Sequence, residues 1–320
     1  MRNNFLATSY VFEEARHAGV SLARLPYLPA KENPGQKRQD RDLGRNIDIM
    51  LKPKFLLIFL LTIGLPAPCL AVNFYDGSRA PKGLYFLSYT SLYGADKTTD
   101  SKGKTNKQNY DYIKIEELLR FCYYTPELVL TAFIPFGGVH SGFYDLSSKG
   151  IGDINLGVGY FLPVKQADIL PMLFVKLANG EYDSKKSLNY GTNQCDIRPV
   201  VFLYKAMGRF SIDAAAKYYF RAENPATKVL PGNELYLQCL FGWQLTKKLK
   251  AGPSINWMRS ANQKNDGMEI ERSRRESFSI GGDFYLRLSS LSVTFTYLRD
   301  IQSENTTKGD FFQVKTCYKF

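Results

Sequence analysis

The sequence predicts an all-β transmembrane barrel of about twelve antiparallel strands, even in number, with both termini on the periplasmic side. Three observations support this prediction: residues 72–320 form short segments of alternating apolar and polar residues, the connections between them alternate between short and long, and the last segment ends on an aromatic residue. Outer-membrane barrels have short periplasmic turns and longer extracellular loops. Because a sheet crosses lipid only when it is closed, the pattern also predicts the outer membrane as the location.

The strands and connections follow from this alternation. The predicted strands are 81–93, 110–122, 127–136, 152–162, 169–178, 195–206, 209–222, 233–245, 249–259, 276–288, 290–300 and 309–320. The long connections are 94–109, 137–151, 179–194, 223–232, 260–275 and 301–308. The short connections are 123–126, 163–168, 207–208, 246–248 and 288–290. A soluble β-sandwich offers no reason for this strict order of long and short connections.

Side-chain parity predicts which residues face the lumen, because successive side chains of a strand point to opposite faces. The charged residues that parity places inside the barrel are Asp213, Lys217, Arg221, Asp283 and Arg287. They could contact a passing solute, or they could pair across the lumen and stiffen it. Together with Tyr219 they should leave a narrow lumen that weakly prefers anions.

Two predicted strands fit the alternation poorly. In the second strand, Glu117 shares the parity of Ile113 and Ile115, so we expect either a β-bulge or a different register there. The fifth strand is apolar on both faces over residues 170–177. This pattern suggests that its inner face packs on a loop folded into the barrel.

Residues 50–71 have the layout of a secretory signal peptide. A basic start is followed by an apolar run over residues 55–65 and by small residues, and the run is too short for a transmembrane helix. We expect cleavage after Ala71, which leaves residues 72–320 as the barrel. Lipid attachment at Cys69 is the alternative, which the flanking prolines disfavour.

Residues 1–49 are polar, mixed in charge and without a sustained period, which predicts disorder. The simplest interpretation is a start codon assigned too far upstream, with Met50 as the true first residue. An unusually long basic region of the signal peptide is the alternative.

The composition excludes several classes of function. The net charge is +12, but no basic helix and no RNA- or DNA-binding motif accompanies it, so we expect no nucleic-acid partner. Basic loops and a basic lumen account for the charge. The cysteines after the leader show no metal-ligand spacing. The sequence therefore predicts no metal site and no cofactor, and it assigns no disulfide.

A barrel hydrolase is the main enzymatic alternative. His140 is the single histidine after the leader, and Ser141 follows it in a predicted loop. Hydrolysis needs a nucleophile, a base and a group that orients the base. Adjacent residues on an extended chain point apart, so we predict no catalytic residue and no enzyme.

Four short motifs rich in glycine and asparagine follow one another between residues 150 and 234. They are a Gly-x-Gly-Asp start of a strand, a Gly-x-Tyr-Asp, and an Asn-x-Gly-x-Asn, followed later by a Gly-Asn-Glu at the start of a strand. Their positions are Gly150, Gly152, Asp153, Gly180, Tyr182, Asp183, Asn189, Gly191, Asn193 and then residues 232–234. The glycines around residues 150–159 superficially resemble a nucleotide-binding loop, but no helix is predicted after them.

Over about residues 120–320, these motifs together resemble a family of outer-membrane transporters associated with the MetA pathway of phenol degradation. The resemblance implies a channel or transporter for small solutes, including hydrophobic or aromatic ones. A structural or adhesive surface barrel that transports nothing is the second hypothesis. The expected partners are outer-membrane lipid, an unidentified small solute, and the outer-membrane assembly machinery, which would read the terminal aromatic residues Tyr318 and Phe320.

The leader generates the first testable prediction. Protein extracted from membranes should begin at Val72 and should lack residues 1–49, because the basic start and the apolar run identify residues 50–71 as a removable leader. N-terminal sequencing measures this directly. Recovery of peptides from residues 1–40 would contradict the interpretation of Met50 as the start.

Overall fold

Twelve antiparallel strands form a closed barrel in the computed structural model, which describes residues 71–106 and 110–320. The strands are β1 (Gly83–Thr99), β2 (Tyr112–Tyr124), β3 (Leu128–Ser141), β4 (Asn155–Tyr160), β5 (Asp168–Lys176), β6 (Asp196–Met207), β7 (Phe210–Tyr219), β8 (Glu234–Gln244), β9 (Leu249–Ser260), β10 (Glu276–Leu288), β11 (Leu291–Glu304) and β12 (Thr307–Lys319). Each strand pairs with its neighbours in the chain, and β12 pairs with β1 to close the barrel. The predicted fold is therefore confirmed.

Short elements lie outside these twelve strands. They are the strands Thr105–Asn106, Leu146–Ile151, Val229–Leu230, Lys264–Asn265 and Met268–Glu269 and the 3-10 turn Gly142–Tyr144. Leu146–Ile151 pairs with the end of β3, and the last three strands form a small sheet of their own. In the described part of the chain, no helix is long and apolar enough to cross a membrane. The predicted leader up to residue 70 and the predicted disordered residues 1–49 lie outside the described residues.

The order of connections agrees with the prediction except at one place. Five connections on one side of the barrel are short, and 100–111, 142–154, 177–195, 220–233 and 261–275 on the other side are long. The predicted long connection 301–308 is wrong, because β11 continues to Glu304 in pairing with β10, and β12 begins at Thr307 in pairing with β1, which leaves residues 305–306 between the two strands. Asn305 adopts a left-handed φ of 49° there, which asparagine tolerates well. The polar composition of residues 301–308 predicts a loop, but strands that pair outside the lipid do not require apolar side chains.

The outer face of the barrel is apolar, as the parity predicts. On β11, Phe295 and Tyr297 are exposed, whereas the alternate residues Thr294 and Thr296 are buried. The same alternation holds on β7, where Phe210 is exposed and the adjacent Ser211 is buried. Apolar residues outside and polar residues inside are the arrangement of a barrel that faces lipid. The protein is an outer-membrane β-barrel.

The C-terminus lies on the barrel seam. The Phe320 N–H donates to the carbonyl of Leu84 at 3.1 Å, and the rings of Tyr318 and Phe320 lie 5.1 Å apart on the exposed side. The terminal aromatics are thus accessible from outside the barrel. Their recognition by the assembly machinery stays a prediction.

Glu117 is an exception on the outer face. The expected β-bulge or altered register is wrong, since β2 pairs with β1 and β3 in continuous register around this residue. The Glu117 carboxylate instead accepts hydrogen bonds from the hydroxyls of Ser88 and Thr90, both at 2.5 Å. A carboxylate that faces lipid is unfavourable, and these two hydroxyls offset part of that penalty.

The N-terminal segment (residues 72–80) lies inside the barrel. Val72, Asn73 and Phe74 are 1%, 0% and 1% exposed, and Val72 and Phe74 share one apolar cluster with Leu170 and Met172 of β5. The inner face of β5 is therefore apolar because it packs with this segment. The sequence predicts that a loop folded into the barrel packs on this face, whereas the structure places the segment before β1 there.

The segment approaches the wall closely at Gly77. A Cβ atom at this position would lie 2.9 Å from the Cβ of Phe202, so glycine permits the close contact.

The exceptional position of Glu117 generates a second prediction. Glu117→Leu should raise the free energy of unfolding by about 1 kcal/mol, because it removes a charge from the lipid face. Glu116→Leu, one residue away on the inner face, is the matched control and should lower it, since Glu116 accepts hydrogen bonds from Lys114 and Tyr190. Urea titration of the folded barrel in lipid measures both changes. A loss of stability in Glu117→Leu would mean that the carboxylate has a stabilising partner in the membrane.

Candidate functional site

Two of the predicted lumen acids bind the N-terminal segment. The backbone N–H of Tyr75 donates to Asp213 Oδ1 at 2.6 Å, and Asn73 Nδ2 donates to Asp283 Oδ2 at 3.0 Å. Parity thus assigned both acids to the correct face. Their carboxylates, however, are buried against this segment instead of lining open space.

Further polar contacts hold the segment at both ends. Asp76 forms an ion pair with Lys315 of β12. Nearer the periplasmic side, Arg79 Nε lies 3.1 Å from Asp168 Oδ1. The same guanidinium donates to the carbonyls of Pro126 and Leu162, in two short periplasmic connections, at 2.7 and 2.8 Å. The segment is therefore tied across the periplasmic opening by side-chain contacts.

A cavity of about 650 Å³ lies in the lumen beyond this segment. Asp76 of the segment lines one part of it, and the long connections 177–195 and 220–233 line another. The volume is that of a typical small-molecule site, which ranges over roughly 300–1,000 Å³. We take this cavity as the candidate functional site.

The closing loop (residues 177–195) covers the extracellular side of the cavity. Leu188 packs with Tyr110, with Tyr112 of β2 and with Val139 of β3. The Tyr190 hydroxyl donates to Glu116 Oε2 at 3.0 Å. Burial and then the Glu116 carboxylate raise the pKa of Tyr190 well above its ordinary value, so the hydroxyl keeps its proton and this hydrogen bond persists.

Asp153 fixes both ends of the closing loop. Its Oδ1 accepts a hydrogen bond from the N–H of Gly180, and its Oδ2 accepts one from the N–H of Thr192, both at 2.9 Å. A Cβ atom on Gly180 would lie 2.7 Å from the Asp153 backbone nitrogen, and one on Gly191 would lie 2.7 Å from the Gly180 carbonyl carbon. Glycine at both positions therefore lets the two ends of the loop meet over Asp153.

The remaining motif residues shape the same loop. Asn189 Oδ1 accepts from the Asp183 N–H at 2.8 Å, and Asn193 Nδ2 donates to Asn224 Oδ1 at 3.4 Å. The motif positions that also line the cavity are Gly152, Asp153, Tyr182, Asn189, Gly191 and, outside this loop, Glu234. Gly150 is held at a φ of 147° beside Glu181 of the loop. The motif positions that the sequence singled out thus meet at or near one loop, and β4 follows the glycines where a nucleotide-binding loop would need a helix.

A network of buried charges forms part of the cavity wall. Asp196 contacts Lys176, Arg198 and Arg221 at 3.1, 2.9 and 3.2 Å. Glu234 contacts Arg221 and Arg275 at 2.8 and 2.6 Å. Lys176 also lies 3.3 Å from Asp153, which links the network to the closing loop. Carboxylates and cations alternate here, so the charges are mutually compensated.

Sequence reasoning identified only part of this wall. It found Arg221 in the network and Lys217, which also lines the cavity. It named Glu234 only as a motif position, and it missed Lys176 and Asp196, although each of the three lies at the extracellular end of a predicted strand with inward parity. Arg287 shares the inward parity of the buried Asp283, but it is exposed near the periplasmic end of β10 and does not line this cavity.

The cavity lining combines excess positive charge with aromatic rings. The lining cations are Lys114, Arg120, Lys176, Lys185, Lys186, Arg198, Lys217 and Arg221. The lining acids are Asp76, Glu116, Asp153 and Glu234. The aromatic side chains include Tyr89, Phe133, Phe174, Phe202 and Tyr219. Such a lining suits a solute that carries both a negative charge and an apolar body.

Other candidate chemistry is not assembled by the fold. His140 and Ser141 lie on β3 instead of the predicted loop, with His140 exposed and Ser141 buried. In the described part of the chain, no group of three or more His, Cys, Asp or Glu side chains could hold a metal ion. The cysteines there, Cys122, Cys195, Cys239 and Cys317, are free thiols.

Comparison with known proteins identifies the family. Residues 93–316 match the family described as the MetA pathway of phenol degradation. The chain belongs to this family. The match runs from the middle of β1 into β12. It includes the closing loop and the motif residues that hold it. No curated protein sequence matches the chain.

Comparison with solved structures finds several channels that are similar to this chain to different degrees. The COG4313 outer membrane channel from Pseudomonas putida F1 superimposes with a TM-score of 0.72 at 17% sequence identity, covering 78% of this chain and 100% of that chain. The NanC porin has a TM-score of 0.43 at 8% identity, over 72% of this chain and 100% of that chain. The CymD monoaromatic hydrocarbon channel has a TM-score of 0.42 at 8% identity, over 75% of this chain and 89% of that chain.

The clamp on the closing loop generates a third prediction. Asp153→Ala should release the loop, because two backbone N–H groups lose a charged acceptor, each such bond contributing about 1.5–3 kcal/mol. Trypsin should then cut at the exposed Lys185 and Lys186 at least about tenfold faster than in the wild type. Asp96→Ala, which removes an exposed carboxylate near the extracellular end of β1, is the control. Equal cleavage rates in all three proteins would show that Asp153 does not hold the loop.

Proposed function

We propose that the protein is a selective channel for small solutes across the outer membrane, including aromatic ones, and that the lumen cavity is the point where a solute binds. The cavity itself is the observation that supports this proposal: it lies inside a closed barrel and is lined by charges and aromatic rings. A purely structural barrel of twelve strands has no need of such a lining. The family membership and the related channel fold agree with this function.

The arrangement favours selective passage over general diffusion. The N-terminal segment fills the lumen on the periplasmic side of the cavity, and the closing loop covers the extracellular side. Both are held mainly by side-chain and turn contacts and not by the barrel's strand pairing. A solute could therefore pass when these two elements shift, while the hydrogen-bonded wall stays intact.

A structural or adhesive barrel is the second candidate function. The long extracellular connection 261–275 could contact a surface. This candidate predicts no ion conductance. A hydrolase finds no support in His140 and Ser141, since the two side chains leave opposite faces of β3.

Single-channel recording in planar bilayers tests the proposal. The wild-type barrel should give small conductance steps with frequent closures, because the N-terminal segment occupies part of the lumen. Complete absence of conductance from correctly folded protein would favour the structural barrel. Large, steady conductance would instead show a general pore and would contradict the proposed selectivity.

Release of the N-terminal segment provides a fourth prediction. Asn73→Ala removes the hydrogen bonds to Asp283 and Thr296, at 3.0 and 2.8 Å, and should raise the open probability about tenfold, since bonds to charged groups contribute about 1.5–3 kcal/mol. Ser78→Ala is the matched control, because Ser78 bonds only to the carbonyl of Tyr75 within the same segment. Identical recordings from Asn73→Ala and the wild type would show that this segment does not limit passage.

A further inference from the structure

We propose that Arg120 binds the carboxylate of a small aromatic acid, with the aromatic ring of the solute in the apolar part of the cavity beside it. This inference rests on the proposed channel function and names its class of solute. It is carried by the surroundings of Arg120, which differ from those of the other buried guanidinium groups of the cavity wall.

Arg120 is a buried cation whose direct partners are neutral. Its side chain is 7% exposed. Its Nε donates to Thr131 Oγ1 at 3.0 Å, and its Nη1 donates to the hydroxyl of Tyr89 at 3.2 Å. Among residues 71–106 and 110–320, no carboxylate lies within 4.0 Å of this guanidinium, whereas Arg198 and Arg221 each contact Asp196. A buried charge without a counter-charge is unfavourable unless a ligand supplies one.

Asp76 does not supply that counter-charge fully. It lies near enough to interact with Arg120 electrostatically. Its carboxylate, however, already forms an ion pair with Lys315 and accepts the backbone N–H of Asn73. Asp76 is therefore already paired with Lys315, and Arg120 has no carboxylate in direct contact among the described residues. A monovalent anion would supply one.

The donors at Arg120 match a carboxylate. Its Nη2 hydrogen-bonds to none of the described residues and belongs to a side chain that lines the cavity. The Tyr89 hydroxyl accepts from Arg120, so its own proton remains available to donate. A planar guanidinium and an adjacent hydroxyl can thus bind the two oxygens of one carboxylate.

Aromatic side chains enclose the space next to this cation. The guanidinium carbon of Arg120 lies 4.7 Å from the ring centroid of Phe133, and the rings of Phe133 and Phe174 are 5.7 Å apart. Phe202 and Leu118 also line the cavity. An offset or edge-on arrangement with these rings would suit a single aromatic ring. A strongly hydrated inorganic anion would gain nothing from this apolar wall, and a neutral ring would leave Arg120 without a counter-charge.

Thermal unfolding of the folded barrel in detergent tests the binding step without relying on conductance. Millimolar benzoate should raise the unfolding temperature of the wild type, whereas acetate and benzyl alcohol should need at least about tenfold higher concentrations for the same rise. Arg120→Gln should abolish the response to benzoate. Without ligand, Arg120→Gln should unfold no earlier than the wild type, because it removes an uncompensated buried charge.

Arg287→Gln is the matched control, since it makes the same chemical change at an exposed site away from the cavity. It should respond to benzoate like the wild type. An equal response to acetate and benzoate would overturn the aromatic part of the inference. An unchanged response in Arg120→Gln would overturn the assignment of the site.

Single-channel recording separates this inference from the proposed function. Benzoate should interrupt the wild-type current at concentrations at least about tenfold lower than in Arg120→Gln. If benzoate affects the conductance of both proteins equally, the result would support the channel function and contradict the assignment of the Arg120 site. Arg120-dependent stabilisation by benzoate in a barrel without conductance would support the site and contradict the channel.

Discussion

Closure of β12 onto β1 is the constraint on which the rest of the structure depends. A sheet in lipid must pair its backbone groups with itself, so the wall is sealed and its outer face is apolar. Polar and charged residues are then confined to the interior, where water is scarce and each charge needs a partner. The buried network around Asp196 and Glu234 and the pairing of Lys315 with Asp76 follow from that confinement.

Twelve strands enclose more space than their own inward side chains fill. Two other parts of the chain occupy much of that space and leave the cavity between them. The N-terminal segment enters from the periplasmic side, and the closing loop enters from the extracellular side. Each is attached to acids of the wall: Asp213 and Asp283 bind the segment, and Asp153 binds the loop. The inward acids are thus attachment points, and the excess of positive charge is left to face the cavity.

The sequence predicted the wall well because period-two alternation is a direct consequence of strand geometry. The sequence-based prediction is wrong where polar residues continue a paired strand and where a charged residue keeps its place on the outer face. The polar ends of β11 and β12 stay paired with β10 and β1, and Glu117 keeps its register with hydroxyl partners. The site was harder to predict, since parity gives the direction of a side chain but not what lies opposite it. Nothing in the alternation showed that the residues before β1 turn back into the barrel.

The N-terminal segment behaves as a tethered ligand of its own barrel. Only residues 81–82 separate it from β1, so after each displacement it stays near its binding site at an effective concentration of the order of millimolar or above. In the proposed channel, a solute competes with this tethered occupant, and molecules that bind weakly would therefore be excluded. Because the competitor is part of the chain, the resting state is restored without any energy source in the outer membrane.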